Sequence, residues 1–543
     1  MKQRTYLSAS LVFFGLLGSP LCLSTPSETD TASESDPAEI AIGERLFLET
    51  RFAQAYYANP DKADPSLKYT VTMDQPLRGP FAGKTMNCRA CHLVDEHLSE
   101  PSAGMRTYAD FSHTSPIPAR NDGKHTTDRN AMSLVNISVA TQHGNLFHFD
   151  GQFNSMQDLV RATLTGRNYG WLASESDQAI KHIANVIRTD DGKDELAREF
   201  GGNYRTVLAS QDKDIPAEFR LPSEFRIDVD NASDEQIVGA VAKLISAYVN
   251  DLNFARDEQG NYTGSPYDQF LKLNNLPRQP KRGESPQAYA NRLLTAVSEL
   301  NAPKFISGKQ QSFQYHKQSF AFTADELKGM KLFFTRSDNK TRGGNCVSCH
   351  TPPHFSDFGF HNTGLSQTSY DEIHGAGSFA KLVIPELRTR NKNYDQYLPA
   401  TAQHPAASER FRTYVNFDKP GYTDLGLWNV FANPDMPVPQ EKLTKILCQL
   451  HRVNNCTAKR LLPLTIAAFK TPVLRDLGHS NPYFHNGQFN TLEEAVNFYI
   501  TSSALAKSGQ LRNADRELSA INISTRDIAP LVAFLKALNE DYD

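Results

Sequence analysis

Two pentapeptides constrain this chain more than any other feature: Cys88-Arg89-Ala90-Cys91-His92 and Cys346-Val347-Ser348-Cys349-His350. Each is a Cys-x-x-Cys-His run, the attachment signature of a c-type haem. Two thiols one turn apart can each form a thioether to one porphyrin edge, and the following His sets an imidazole nitrogen under the iron. The runs use four of the seven cysteines, which makes chance a poor explanation for both. The alternatives are a zinc site, a thioredoxin-like redox pair or a structural disulfide. Zinc would bring both pairs together, and neither metal nor redox pairing explains a His directly after each second Cys. The pattern therefore predicts two covalently bound haem c groups, held by Cys88, Cys91, Cys346 and Cys349, with His92 and His350 as axial iron ligands.

The start of the chain reads as an export signal. Lys2 and Arg4 precede an apolar run from Leu7 to Leu17, too short to span a bilayer comfortably. Cleavage near Ser24 gives a signal peptide over 1–24 and an acidic, Ser/Thr-rich leader over 25–36. Leu21 stands where lipid attachment usually wants a small residue, which argues against a lipid anchor at Cys22. No later segment has the length and apolarity of a transmembrane helix, so a periplasmic location is expected. Without the signal six cysteines remain. Cys448 and Cys456 are then an even pair outside the haem motifs, either a disulfide of an exported protein or two free buried thiols.

At 543 residues the chain is too long for one core. A hydrophobic content of 39% and a net charge of −4 describe an ordinary globular protein and give no support for a nucleic-acid partner. The sequence also repeats itself. Gly43-Glu44-Arg45-Leu46-Phe47 precedes the first haem motif and Gly329-Met330-Lys331-Leu332-Phe333 the second, both in helical patterns. After each motif comes a matched block, Asn145 to Asn154 and Asn481 to Asn490, each ending Gly-Gln-Phe-Asn. The same order in both halves argues for duplicated haem domains. A helix start follows each block: Thr491 with Glu494 forms a capping box, and Ser155 with Asp158 a weaker copy. Apolar periodicity also predicts helix over Glu235 to Val249, Pro286 to Leu300 and about Thr525 to Leu538. Strand signals are sparse, so the expected class is mainly α. The expected divisions are an N-terminal haem domain over 37–169, a helical insertion over 170–321 and a C-terminal haem domain over 322–543. The last carries its own insertion over 366–464, rich in Pro and aromatics.

The chain resembles the bacterial di-haem cytochrome c peroxidases and their MauG-like relatives. The matching stretches are Ile42 to Phe52, the two haem motifs, Phe355 to Leu365 and Phe469 to Tyr499, with Pro-x-Leu-Arg and Pro-Tyr-Phe-His-x-Gly the most specific elements. The resemblance implies two cytochrome-c-like domains with large, mostly helical insertions. It implies that peroxide reacts at the N-terminal haem, above His92, and that the C-terminal haem, above His350, relays electrons. Tyr499 stands where the ordinary peroxidases have a Met ligand, and matches the MauG-like branch in which Tyr binds the relay iron. A phenolate is a hard anionic donor that favours ferric iron, so it implies a lower relay potential than Met would give. The resemblance also implies a calcium ion, with Asn136 and the backbone oxygens of Ser480 and Pro482 as ligands. An Asn capping a turn is the alternative for Asn136.

Three departures matter. Phe149 stands where the family has a Trp that bridges the haems, and it is much harder to oxidise; Trp171 and Trp428 are substitutes or core aromatics. Leu159 and Tyr169 stand where the family has a distal Gln and Glu. Peroxide cleavage needs a group that moves a proton, and the candidates are His113, His125, Arg167 or an acid from the insertion, each equally readable as a surface or structural residue. No residue after His92 matches the family's switchable distal His, so the first haem is either open or capped by His113 or His125. Three functions fit: a peroxidase using hydrogen peroxide and a small redox protein, cytochrome or cupredoxin, as electron donor; an electron-transfer protein without peroxide chemistry; and a maturation factor that oxidises a protein substrate docked on the insertions.

Overall fold

The computed structural model describes residues 36–60, 87–88, 91–92, 117, 119–139, 145–211, 215–309, 311–313, 316–337 and 341–541. The export segment, Cys22 and His113 lie outside the described residues. The protein is mainly α-helical, and its named strands form a two-stranded antiparallel sheet, with Phe360 opposite Lys470 and His361 opposite Phe469.

Three large apolar cores and a small fourth cluster around Leu511, Leu518 and Ile521 organise the described residues. In the first, helix Ala38–Leu48 crosses helix Asp234–Asp251, and helices Met156–Leu164 and Ser176–Thr189 pack on the same helix. The sequence dictates the Asp234–Asp251 helix in two ways. Ser233 accepts from the Gln236 backbone while Gln236 returns a bond to the Ser233 N–H, which satisfies two donors that a helix start leaves open. Ile237, Val241, Leu244, Ile245 and Tyr248 recur at helical spacing and are buried.

In the second core, helix Ala324–Phe334 crosses helix Ile528–Lys536, with helices Pro266–Leu273 and Pro286–Ser298 in the same cluster. The stretch 170–321 therefore has no core of its own. Its early helices lie in the first core, and Pro266–Leu273 and Pro286–Ser298 in the second. The third core lies in the second insertion, around Trp428, Leu443 and Leu447, and takes in Leu146 from the first half. Cys448 and Cys456 are joined there by a disulfide.

The duplication extends to backbone detail. A methyl on Gly43 would fall onto the Leu244 carbonyl, and one on Gly329 onto the Pro530 carbonyl. Both first helices thus cross their partners at a glycine, where only a hydrogen leaves room for the facing backbone. The two blocks fold alike too. Phe147 N–H donates to Phe153 O at 2.7 Å, and Tyr483 N–H to Phe489 O at 2.7 Å. His148 and Phe484 adopt φ of 65° and 69°, and Gly151 and Gly487 follow at 69° and 63°.

Candidate haem sites

Each Cys-x-x-Cys-His run is one tight turn. Cys91 and His92 N–H donate to Cys88 O at 3.1 and 2.9 Å; Cys349 and His350 N–H donate to Cys346 O at 3.2 and 2.8 Å. None of the four cysteines is in a disulfide. Burial pushes Cys88 and Cys346 up to about 12. Cys88 packs against the first core and Cys346 against the second, so the two pairs serve separate sites.

The second motif presents a neutral imidazole with one ring nitrogen held by the backbone. The His350 Nδ1 lies 3.0 Å from Phe355 O. A carbonyl only accepts, so Nδ1 carries the proton and Nε2 keeps its lone pair. Burial, outweighing the hydrogen bond, pushes the imidazolium down to about 4, so the ring is neutral. Tyr499 lies on helix Leu492–Lys507, capped by Thr491 and Glu494. Its phenol is raised above the usual tyrosine value by burial and then by Cys349 and Cys346, and it packs on Leu511, Leu518 and Ile521. Its ring meets Phe484 at 5.9 Å and Phe498 at 5.6 Å. In the first repeat the position equivalent to Tyr499 is Thr163, the same distance after the Ser155 cap. The second half thus presents a phenol where the first presents a short hydroxyl.

His361 is a site residue that sequence reasoning passed over, although Phe355 to Leu365 had drawn attention as a block. Its Nε2 meets Asp357 at 2.8 Å and its Nδ1 meets Asp515 at 2.6 Å. Burial opposes its charge, yet Cys349 and the two carboxylates raise it well above the ordinary histidine value. It is an imidazolium clamped beside the second motif.

At the first site Tyr169 is buried with its hydroxyl 3.1 Å from Cys88 Sγ. Gly166 turns the chain there and Gly170, at φ 85°, ends the short helix Arg167–Tyr169. Tyr169 thus sets a phenol against the Cys88 sulfur. Arg167 grips Asp122 through Nε and Nη2 at 2.6 and 3.1 Å, and its buried Nη1 has no partner. His125 is exposed.

Phe149 lies against its repeat equivalent His485, with ring centroids 6.4 Å apart, and His485 stacks on Phe469 at 3.5 Å. Trp171 is buried in the first core, its Nε1 donating to Phe52 O at 3.2 Å. Trp428 is buried in the third core under Arg390. Asn136 does not fit a calcium ligand: its Oδ1 faces the Arg256 guanidinium at 3.3 Å, a cation where another cation would have to bind. The side chain that meets the Pro482 carbonyl is Asn130, whose Nδ2 donates at 2.6 Å. Ser480 makes a 3.4 Å hydroxyl bond to Asp476 O.

Comparison with known proteins agrees with the motifs. The chain is 26% identical over 251 residues to the cytochrome c peroxidase IdrP2 of Denitromonas iodatirespirans, covering 45% of this chain and 46% of that protein. It is 41% identical over 255 residues to IdrP2 of Pseudomonas sp. (strain SCT), 46% of each. Over about half its length the chain is thus similar to cytochrome c peroxidases. It is also 40% identical over 75 residues to the methylamine utilization protein MauG of Methylorubrum extorquens, covering 14% of this chain and 20% of MauG. The chain spans about half the length, or less, of the curated relatives it matches. No family model matches it. Among the described residues no helix is long and apolar enough to cross a membrane.

Proposed function

We propose that the protein is an exported di-haem c-type oxidoreductase that reacts with hydrogen peroxide at its N-terminal site and relays electrons through its C-terminal site. The observation that carries this reading is the unequal repeat. Two like turns present Cys, Cys and His, yet the helix after each block offers Tyr499 in one half and Thr163 in the other. A duplicated electron carrier needs two like sites. A peroxidase needs one iron with an accessible face and one that is closed.

Haem held at Cys88, Cys91 and His92, and at Cys346, Cys349 and His350, supplies the redox chemistry. The residues around it orient and tune. Phe355 O holds His350 in the tautomer that ligates through Nε2. Tyr499 closes the second site with an oxygen donor. Tyr169, a phenol raised by burial and by Cys88, holds a proton at neutral pH beside Cys88. Arg167 brings a fixed positive charge with one free N–H. Of the two, Tyr169 is the group that would move a proton in the carboxylate's place, and Arg167, always protonated, would contribute charge alone. The Cys448–Cys456 disulfide fits an oxidising compartment, and a small redox protein supplies the electrons. Asn136 is not part of a calcium site in this reading.

Phe149 and Tyr169, replacing the family's Trp and Glu, favour the second reading, an electron-transfer protein without peroxide chemistry. Stopped-flow spectra of the purified holoprotein with hydrogen peroxide separate the two. The proposal predicts a rapid shift of one haem and turnover with a reduced cytochrome, slowed roughly 10²-fold in Tyr169→Phe. Two haems inert to peroxide would leave only the electron carrier.

A further inference from the structure

Tyr262 joins the two halves. Its ring belongs to the first core, yet its hydroxyl lies 2.6 Å from Nδ1 of His354, four residues beyond His350. Asn136 Nδ2 and Arg256 Nη2 donate to the same oxygen at 2.7 and 2.8 Å. A phenol oxygen has one proton and two lone pairs. The N–H donors fill both lone pairs, so the proton points at His354. Burial, then Arg475 and Arg256, push the His354 imidazolium down to about 3, which leaves Nδ1 free to accept. Around this short bond the charges are positive: the Arg475 guanidinium lies 3.8 Å from the Tyr262 ring centroid and that of Arg256 4.5 Å. Arg475 is itself anchored by both oxygens of Asp268 and by Pro353 O.

We infer that Tyr262 is a proton-coupled electron relay between the two halves, with His354 as its proton acceptor. The inference rests on the proposed function, in which an oxidised haem draws electrons across the molecule. One electron leaves the phenol for that haem, which is reduced by one. The Oη–H bond breaks and an Nδ1–H bond forms, giving a neutral phenoxyl radical and an imidazolium. An electron from the external donor, with the proton returning from Nδ1 to Oη, restores the pair.

The two guanidiniums disfavour a ring that keeps its proton and gains a positive charge, so the proton must move with the electron. They also make the phenoxyl a strong oxidant, and His354, a weak base, gives the proton back readily. Tyr262 therefore passes the oxidising equivalent on rather than trapping it. The connections run both ways. Phe355, next to His354, holds His350 through its carbonyl, and Asn136 donates through its backbone to Leu252 O of the first core. Phe149 is a far poorer electron donor than a tyrosine, and the two tryptophans are buried within the first and third cores.

The test uses the holoprotein and two oxidants, hydrogen peroxide and, separately, photogenerated tris(bipyridine)ruthenium(III), with freeze-quenched spin-resonance spectra. The relay predicts a transient tyrosyl signal that narrows when tyrosine rings are deuterated, is absent in Tyr262→Phe, and forms more slowly in D₂O. His354→Gln, which keeps an acceptor but not a base, should slow it roughly 10²-fold. A Tyr262 signal with ruthenium(III), in a protein whose haem spectrum ignores peroxide, supports the relay and sinks the peroxidase reading alone. An undiminished signal in Tyr262→Phe overturns the relay, as do oxidised haems with no tyrosyl signal in the native protein. If Tyr262→Phe does not fold, equal rates for native and His354→Gln protein in H₂O and D₂O overturn it.

Discussion

Tyr499 and His361 set the electrostatics of the second site from opposite directions. A phenolate on the iron favours the ferric state, so Tyr499→Met should raise the C-terminal haem potential by roughly 0.2–0.4 V, within the ~0.8 V that axial ligands span. Spectroelectrochemistry checks this, and an unchanged potential would remove Tyr499 from the iron. His361 gives a pH signature. Its folded pKa is raised, so its contribution to stability is complete below about pH 6.5 and is lost as pH rises through the folded value. Asp357 and Asp515 are lowered, against burial, chiefly by His361, so their contributions hold above about pH 3.9 and are lost as pH falls through their folded values. A thioether at Cys349, as proposed, would carry no charge, and the two carboxylates alone would hold the imidazolium. Denaturation midpoints of the holoprotein should therefore fall as pH rises above about 6.5, and His361→Gln should flatten that fall. The haem motifs were legible in the sequence because their chemistry is local: five consecutive residues carry it. The Asp357–His361–Asp515 clamp and the Tyr262–His354 pair were not, because their members lie as far apart as residues 357 and 515 and only the fold brings them together.

At the scale of helices, the glycine crossings carry the duplication. A methyl at Gly329 has nowhere to go, since it meets backbone rather than a movable side chain. Gly329→Ala should cost about 1–3 kcal/mol or more in chemical denaturation, against the small gain Ala brings to an exposed helix. A neutral outcome would mean that the Ala324–Phe334 and Ile528–Lys536 helices cross differently. Helix positions followed well from periodicity: Glu235 to Val249 is realised within Asp234–Asp251, and Pro286 to Leu300 as Pro286–Ser298. The Thr491–Glu494 capping box is present as the spacing predicts. What periodicity could not reveal was which core each helix joins. The 170–321 stretch reads as one insertion, yet its apolar faces divide between two cores, because a face records only that it is buried and not against what.

Across the whole molecule the two halves are alike in backbone and unlike in the groups they present. The same turn, the same block and the same helix cap recur, while Thr163 faces Tyr499 and Phe149 faces His485 across the repeat. The most direct test is a quantified low-temperature spin-resonance spectrum of the fully oxidised holoprotein. Two ferric haems per chain are expected, one high-spin with an open face and one low-spin, with the low-spin signal altered in Tyr499→Met. Two low-spin haems that ignore that substitution, or a single haem per chain, would contradict it.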